Sequence, residues 1–169
     1  MGEPVSALEL ARRQIVAARE YTLTLLADLE PEEWLQTPGE TSSIAWQVGH
    51  LAMAEYGLCM FRIRGRRETD LQLMSGRFRK QFSRGSTPPS DPARCPSPEE
   101  IRQVFDRVHR QALEELAAVR EQDLAERIEE PHVVFDTKLG ALFFCAHHEM
   151  LHAGQIGLLR RWLGKPPLR

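Results

Sequence analysis

The stretch Cys145-Ala146-His147-His148-Glu149-Met150-Leu151-His152-Ala153-Gly154-Gln155 lies within a long apolar run near the end of the chain. His148 and His152 are four residues apart, and on a helix this spacing places both rings on one face, with Cβ atoms about 5–6 Å apart. Two imidazoles at that separation can bind one metal ion, at about 2.0–2.1 Å each if the ion is zinc. A metal site needs at least one further protein ligand.

Residues His148 to His152 formally match the HExxH motif of zinc proteases. The common proteases of this type take their third ligand from a downstream Glu or from a His six residues further on. No Asp or Glu follows Glu149, and Leu158 stands six positions after His152. The sequence therefore disfavours a protease, and the third ligand is expected upstream.

The upstream candidates are His50, His109, His132 and His147. His147 points about 100° away from His148 on the same helix, so it cannot join the pair. His109 lies among charged residues, which indicates a surface position, and His132 follows Pro131 in a connection. His50 lies in a largely apolar segment, where a single His is more often a satisfied core residue than a ligand. Three unpaired buried imidazoles would each cost roughly a few kcal/mol, and a shared metal removes that cost.

Hydrophobic spacing and capping residues predict an all-α, four-helix bundle. In the first helix, one face is apolar and the other carries Arg12, Arg13, Arg19 and Glu20, so these four are predicted to be exposed. Residues 66–97 are predicted to be irregular, with a short helix near 77–82, and residues 121–136 to be a connection with an extended piece at 133–135. Two of the predicted helices run from Ser6 to Pro31 and from about Ile44 to Ile63, the second with caps offered by Thr41-Ser42-Ser43. The other two run from Ser97 to about Arg120, and from about Lys138, capped by Thr137, to Gly164.

The bulk composition is that of an ordinary soluble globular protein, with 169 residues, 42% hydrophobic and 27% charged. This length predicts a single domain, 1–169. No apolar run approaches the roughly 20 residues of a membrane helix, and the first residues do not form a signal peptide. Three cysteines in an unexported chain predict reduced thiols and a cytoplasmic location.

The net charge of −2 gives no general attraction to nucleic acid, and no nucleic-acid partner is expected. Residues 62–84 nevertheless concentrate positive charge against only Glu68 and Asp70. This segment is either a solvated loop or a rim that attracts an anionic ligand. Its eight basic residues are Arg62, Arg64, Arg66, Arg67, Arg77, Arg79, Lys80 and Arg84.

Three motifs together resemble the DinB/YfiT-like superfamily over nearly the whole chain. They are Ser43-Ile44-Ala45-Trp46-Gln47-Val48-Gly49-His50-Leu51-Ala52, then His148-Glu149-x-x-His152-Ala153-Gly154-Gln155-Ile156, and Leu163-Gly164-Lys165-Pro166-Pro167. The resemblance implies an up-down-down-up four-helix bundle in which His50, His148 and His152 bind a divalent metal. Known members include thiol-dependent S-transferases and isomerases, for mycothiol or bacillithiol, and metal-dependent hydrolases. Many members have no known activity, and many are dimers.

Three neutral imidazoles leave one to three open positions on the metal, which is typical of a catalytic site. Nitrogen ligands predict a divalent transition metal, with nickel or zinc ahead of iron or manganese. The site could activate either water or a low-molecular-weight thiol, and the family resemblance implies the thiol as a candidate co-substrate. The predicted function is a thiol-dependent S-transferase acting on small electrophiles, or a metal-dependent hydrolase. The alternative is a non-catalytic metal- or small-ligand-binding module of a stress response. A homodimer with a small-molecule substrate and no membrane partner is expected.

Several side chains near the histidines are candidates for helper roles. Glu149 and Gln155 are the candidate catalytic residues, although Glu149 is more often expected to be an exposed structural Glu. Glu55 is a candidate to accept a proton from a ligand His on a neighbouring helix. Cys145 either lines the pocket or is a buried inert thiol. Trp46 is expected to form a core or pocket wall.

Overall fold

The computed structural model describes residues 4–86 and 92–168. The first three residues, on which the expectation about a signal peptide rests, and the middle of the Gly-, Ser- and Pro-rich stretch lie outside the described residues. Within the described residues the fold is all-α, as predicted, and the only β-type pairing is an isolated bridge between Arg127 and Thr137. The four long helices are α1 (Ala7–Leu26), α2 (Ile44–Glu55), α3 (Pro98–Leu116) and α4 (Lys138–Trp162).

The predicted caps begin all four helices. Ser6, Ser43, Ser97 and Thr137 each accept a hydrogen bond from the backbone N–H three residues later, which satisfies a donor that the first turn leaves unpaired. At Ser97 the bond is reciprocal, because the Glu100 side chain accepts from the Ser97 N–H. These side chains set the start of each helix as the sequence predicts.

Two helices end earlier than predicted. At the end of α1 the Leu25 carbonyl accepts from the buried Arg160 guanidinium, which also pairs with Asp28, so the chain turns away after Leu26. A separate 3₁₀ turn then follows at Pro31–Leu35. The end of α3 tightens through bonds from Ala118 to Glu115 and from Val119 to Leu116, and a second 3₁₀ turn follows at Glu121–Ala125.

Helix α2 continues beyond Glu55 without a break. Residues Tyr56–Phe61 form a π-helical segment, and Arg62–Arg64 complete the helix before Gly65, whose φ of 80° ends it. The predicted span of about Ile44 to Ile63 is therefore correct in length, but no residue pattern predicts the wider turn. Such π-helical turns are frequent at functional sites.

Shorter elements lie between the long helices. The short helix predicted near 77–82 is found at Gly76–Gln81, and further turns lie at Asp70–Leu73 and Pro92–Arg94. The extended piece predicted at 133–135 is wrong. His132 and Phe135 exchange backbone hydrogen bonds and close a local turn, which leaves Val133 99% exposed with no strand beside it.

The helices share one hydrophobic core, in which α1 packs mainly against α4, and α2 packs against α3 and α4. In the described part of the chain, no helix is both long and apolar enough to cross a bilayer. The up-down-down-up order of the helices stays a prediction.

The buried side chain of Arg19 connects α1 to the other three long helices. Its guanidinium donates to Glu149 on α4 (2.9 Å), to Glu55 on α2 (2.7 Å) and to the Phe105 carbonyl on α3 (3.1 Å). It also lies 3.4 Å above the Phe105 ring. Burial lowers the pKa of Arg19, but the two carboxylates more than offset this and raise it, so the side chain stays charged. The prediction that Arg19 is exposed is wrong: it is 2% exposed.

Two other predictions about exposure are wrong because the side chains concerned also have charged or polar partners inside the bundle. Glu149 is 2% exposed because its carboxylate pairs with Arg19 in the core. His109, predicted at the surface, is half-buried because its Nδ1 lies 2.7 Å from Glu55 Oε1. Burial raises the pKa of Glu55, but Arg19 and His109 together lower it below its ordinary value. The core thus contains a polar cluster of Arg19, Glu55, Glu149 and His109.

We expect Arg19→Met to reduce the free energy of unfolding by about 3–5 kcal/mol, because it leaves two buried carboxylates without their cation. Urea unfolding followed by circular dichroism measures this. The matched control is Arg13→Met on the same helix, whose exposed pair with Glu9 should contribute less than about 1 kcal/mol. Equal effects of the two substitutions would show that the Arg19 cluster does not stabilise the bundle.

Candidate metal centre

The three predicted ligands meet between α2 and α4. His50 comes from α2 and is 6% exposed, while His148 and His152 come from α4 and are half-buried. The ring centroids of His50 lie 5.2 Å from His148 and 4.9 Å from His152, and those of His148 and His152 lie 4.5 Å apart. One nitrogen from each ring lies within 4.8 Å of the other two. We call these three residues the histidine group.

Hydrogen bonds fix the protonation of two rings. The His50 Nδ1 lies 2.8 Å from the Phe82 carbonyl, which can only accept, so Nδ1 carries the proton and Nε2 carries the lone pair. The His152 Nδ1 makes the same kind of bond to the amide oxygen of Gln47. Gln47 in turn donates from its Nε2 to Ser42 Oγ at 3.3 Å, which orients its oxygen toward His152. In both rings the Nε2 lone pair therefore points away from the acceptor that binds Nδ1.

The donor set fits a divalent metal. The Nε2 atoms of His148 and His152 are 3.3 Å apart. Tetrahedral bonds of 2.0–2.1 Å to zinc place neighbouring nitrogens about 3.3 Å apart, so the observed separation matches one edge of such a site. Because His152 Nε2 carries a lone pair, a second lone pair on His148 would repel it unless a cation or proton lies between them. Imidazole ligands suit zinc, nickel, copper and iron.

The electrostatic environment keeps these rings neutral. Burial, followed by the neighbouring His50 and His132, lowers the pKa of His148 to about 4. Burial and the other two rings lower the pKa of His152 to about 3, against a smaller opposing effect of Gln155. Burial also lowers the pKa of His50, although its bond to Phe82 opposes this. Neutral imidazoles do not have to lose a proton before they bind a metal near pH 7.

Residues 82–86 cover one side of the histidine group, and we call them the covering segment. Trp46 stacks on His50 with centroids 4.7 Å apart and planes 7° from parallel, and its Nε1 donates to Ser86 Oγ. The predicted wall position of Trp46 is thus confirmed. Gly49 allows the covering segment to approach, because a Cβ there would lie 2.5–2.6 Å from the Phe82 ring. Phe82 must be this close for its carbonyl to reach His50.

The two candidate catalytic residues lie in different surroundings. Gln155 is exposed, and its side chain lies close enough to His152 to oppose the fall in the pKa of that ring, so it adjoins the histidine group. Glu149 adjoins His148 in sequence, but its carboxylate points into the core toward Arg19. Their catalytic roles stay predictions.

The other candidates lie outside the histidine group. Glu55 accepts from Arg19 and His109, so the prediction that it bonds to a ligand His is wrong. Cys145 is buried beside Cys59, and His147 is exposed. His132 stacks on Phe135 and lies tilted against Phe144. Nothing brings these side chains into the set of three nitrogens.

Sequence reasoning missed the two groups that orient the rings. Gln47 lies three residues before His50 on an otherwise apolar helix, and a buried amide at that spacing was the available signal. Phe82 acts through its backbone carbonyl, for which the sequence offers no side-chain signal.

A family model described as the DinB superfamily matches residues 14–156, which include all three members of the histidine group. No curated protein matches the chain.

We expect Gln47→Leu to weaken zinc binding about 10–100-fold, because His152 loses the acceptor that fixes its tautomer. Gln47→Glu keeps an acceptor oxygen and should retain most of the affinity. Competition with a chromophoric chelator measures the dissociation constant, and Gln103→Leu, at an exposed glutamine on α3, is the control. Unchanged affinity in Gln47→Leu would contradict the orienting role.

We expect the stability of the metal-free protein to fall as the pH is lowered from about 6.5 toward 4. In this range the unfolded chain protonates His148 at its ordinary pKa of 6.5, whereas the folded chain does so only at about 4, so acid favours unfolding. His148→Leu should make the dependence shallower, and Met150→Leu, at an exposed residue of the same helix that does not titrate, should leave it unchanged. Urea unfolding at a series of pH values, with a chelator present, tests this. Parallel curves for the parent and His148→Leu would contradict it.

Proposed function

Because the chain belongs to the DinB superfamily and its structure groups three imidazoles that can bind a divalent metal, we propose that it is a metal-dependent, thiol-dependent S-transferase acting on small electrophiles. The observation that carries this proposal is the convergence of neutral imidazole nitrogens with no fourth protein ligand among the described residues. Three protein ligands leave positions free for exchangeable molecules, as in catalytic metal sites. Nickel and zinc suit this nitrogen donor set best.

The ion pair between Glu149 and Arg19 supports transfer from a thiol over hydrolysis, because it leaves Glu149 unable to serve as a base for a bound water. Its carboxylate is bonded to Arg19, and among the described residues no other carboxylate joins the three histidine nitrogens. When bound, the metal supplies Lewis-acid chemistry that promotes loss of a proton from a coordinated ligand. A free thiol has a pKa near about 8.5, whereas water starts at about 15.7, so a thiol needs far less assistance from a protein base.

The surroundings of the histidine group suit a small, partly apolar electrophile. Trp46 forms one wall against His50, and the Phe144 ring lies 5.7 Å from His148. Gln155 is exposed beside His152, where it can donate to or accept from a ligand. The half-buried rings of His148 and His152 leave this side of the group accessible.

The basic segment divides into a remote part and a near part. Arg62 lies twelve residues after His50, which is about 18 Å along a helix, and Arg64 pairs with Asp70 and Glu115. Arg84 is exposed and lies two residues after Phe82, whose carbonyl contacts His50. Arg84 is therefore placed where it can meet a carboxylate of a small thiol.

We expect the parent protein, purified without a tag, to contain about one equivalent of a transition metal at the histidine group. His148→Ala should lose it, because two imidazoles retain a metal poorly, and His147→Ala, one residue away but exposed, should keep it. Elemental analysis of the three proteins, with circular dichroism to confirm folding, is the measurement. A parent that neither contains metal nor takes up added nickel or zinc would overturn the proposal.

Metal-loaded protein should then consume a low-molecular-weight thiol in the presence of an alkylating electrophile, and His50→Ala should reduce that rate to background. Turnover of an ester or amide without thiol would replace the transferase by a hydrolase. Metal binding with neither activity across a panel of thiols and electrophiles would favour the non-catalytic binding module.

A further inference from the structure

A second group of metal-ligating side chains lies in the core and shares no residue with the histidine group. Glu55, Cys59 and Cys145 each offer one ligand atom, and these three atoms lie within 4.8 Å of one another. All three side chains are buried, with exposed fractions of 1% for Glu55, 1% for Cys59 and 4% for Cys145. They come from α2, from the π-helical segment Tyr56–Phe61 and from α4.

We propose that Glu55, Cys59 and Cys145 form a second metal site, selective for a thiophilic divalent cation of the zinc or cadmium class. Two thiolates and a carboxylate are the soft-weighted ligands that such cations prefer over magnesium or calcium. Zinc binds thiolate sulfur at about 2.3 Å and carboxylate oxygen at about 2.0–2.2 Å, so the ligand atoms would end about 3.5–3.8 Å apart. The observed group reaches that spacing with movements of about an ångström.

The charge balance of the core allows a divalent cation to replace the two thiol protons. Both cysteines are free, and the interaction with Cys59, followed by burial, raises the pKa of Cys145 well above its ordinary value, so that thiol is protonated without metal. When a divalent cation binds, each thiol releases its proton to solvent and forms a bond to the metal. Two protons leave as two positive charges enter, and the net charge around Arg19 is unchanged.

Glu55 retains the capacity to bind a metal. Its Oε2 accepts from Arg19 at 2.7 Å and its Oε1 faces His109 Nδ1 at 2.7 Å. Each carboxylate oxygen has two lone pairs, so each keeps one after these bonds. Arg19 and His109 would orient the carboxylate as outer partners commonly orient metal ligands.

The structure also provides a route to the buried thiols. Cys59 lines a surface cavity of about 360 Å³ together with Ile63, Arg64, Glu115 and Val119. Each cation that lines this opening pairs with a carboxylate: Arg64 and Arg67 with Glu115, Arg120 with Asp123, and Lys138 with Glu126. A cation can therefore approach Cys59 from the end of the bundle remote from the histidine group.

Cobalt(II) distinguishes the two sites, because cobalt bound to thiolate gives an intense near-ultraviolet charge-transfer band that nitrogen ligands do not give. We expect this band when cobalt is added to the phosphine-reduced protein. Cys59→Ser and Cys145→Ser should each abolish it. Cys95→Ser, at the third cysteine, and His148→Ala should both retain it.

Absence of the band in the reduced parent, or its survival in both serine variants, would overturn the second site. If those variants do not fold, the parent itself provides the test through alkylation mapped by mass spectrometry. Cadmium should slow modification of Cys59 and Cys145 by at least about tenfold and leave Cys95 unaffected. Equal rates with and without cadmium would also overturn the proposal. Because His148→Ala is predicted to lose only the histidine site, each site can fail independently.

Discussion

The guanidinium of Arg19 is the interaction on which the arrangement of the helices depends. It bonds to Glu55 on α2, to Glu149 on α4 and to a carbonyl of α3. Burying this charge is tolerable because two carboxylates and a carbonyl satisfy it, and removing any partner would expose that cost. Glu55 lies on the helix of His50, and Glu149 adjoins His148 in sequence. The core side of the bundle therefore fixes the relative positions of the two helices that supply the histidines.

The histidine group is held in shape from its other side by neutral hydrogen bonds. Phe82 and Gln47 each accept from an Nδ1, so two lone pairs converge through protein contacts alone. A site formed in this way loses little freedom when a metal binds, which strengthens binding. The buried polar groups therefore fall into two sets. The charged set around Arg19 fixes the helix positions, and the neutral acceptors Phe82 and Gln47 orient the histidine rings.

The sequence predicted the local features well, because caps and periodicity depend on neighbouring residues. Ser43 and Thr137 start their helices as expected, and the four-residue spacing placed His148 and His152 on one face. It failed where the partner is distant in the chain. The sequence predicts an exposed Arg19 because a charged residue is usually solvated, whereas the two carboxylates that pair with it in the core lie 36 and 130 positions away. The same missing contact explains why Glu149 was expected at the surface.

The π-helical segment sets the register between the two ends of α2. A π turn accommodates one more residue than an α turn, and each residue on an α-helix rotates the next by about 100°. His50 precedes the segment, while Cys59 and Arg64 lie within or after it. Deletion of one residue here would leave His50 in place but rotate Cys59 and Arg64 about the helix axis to different faces. The length of Tyr56–Phe61 therefore sets the angle around the helix axis between His50 at one end and the thiol and guanidinium at the other.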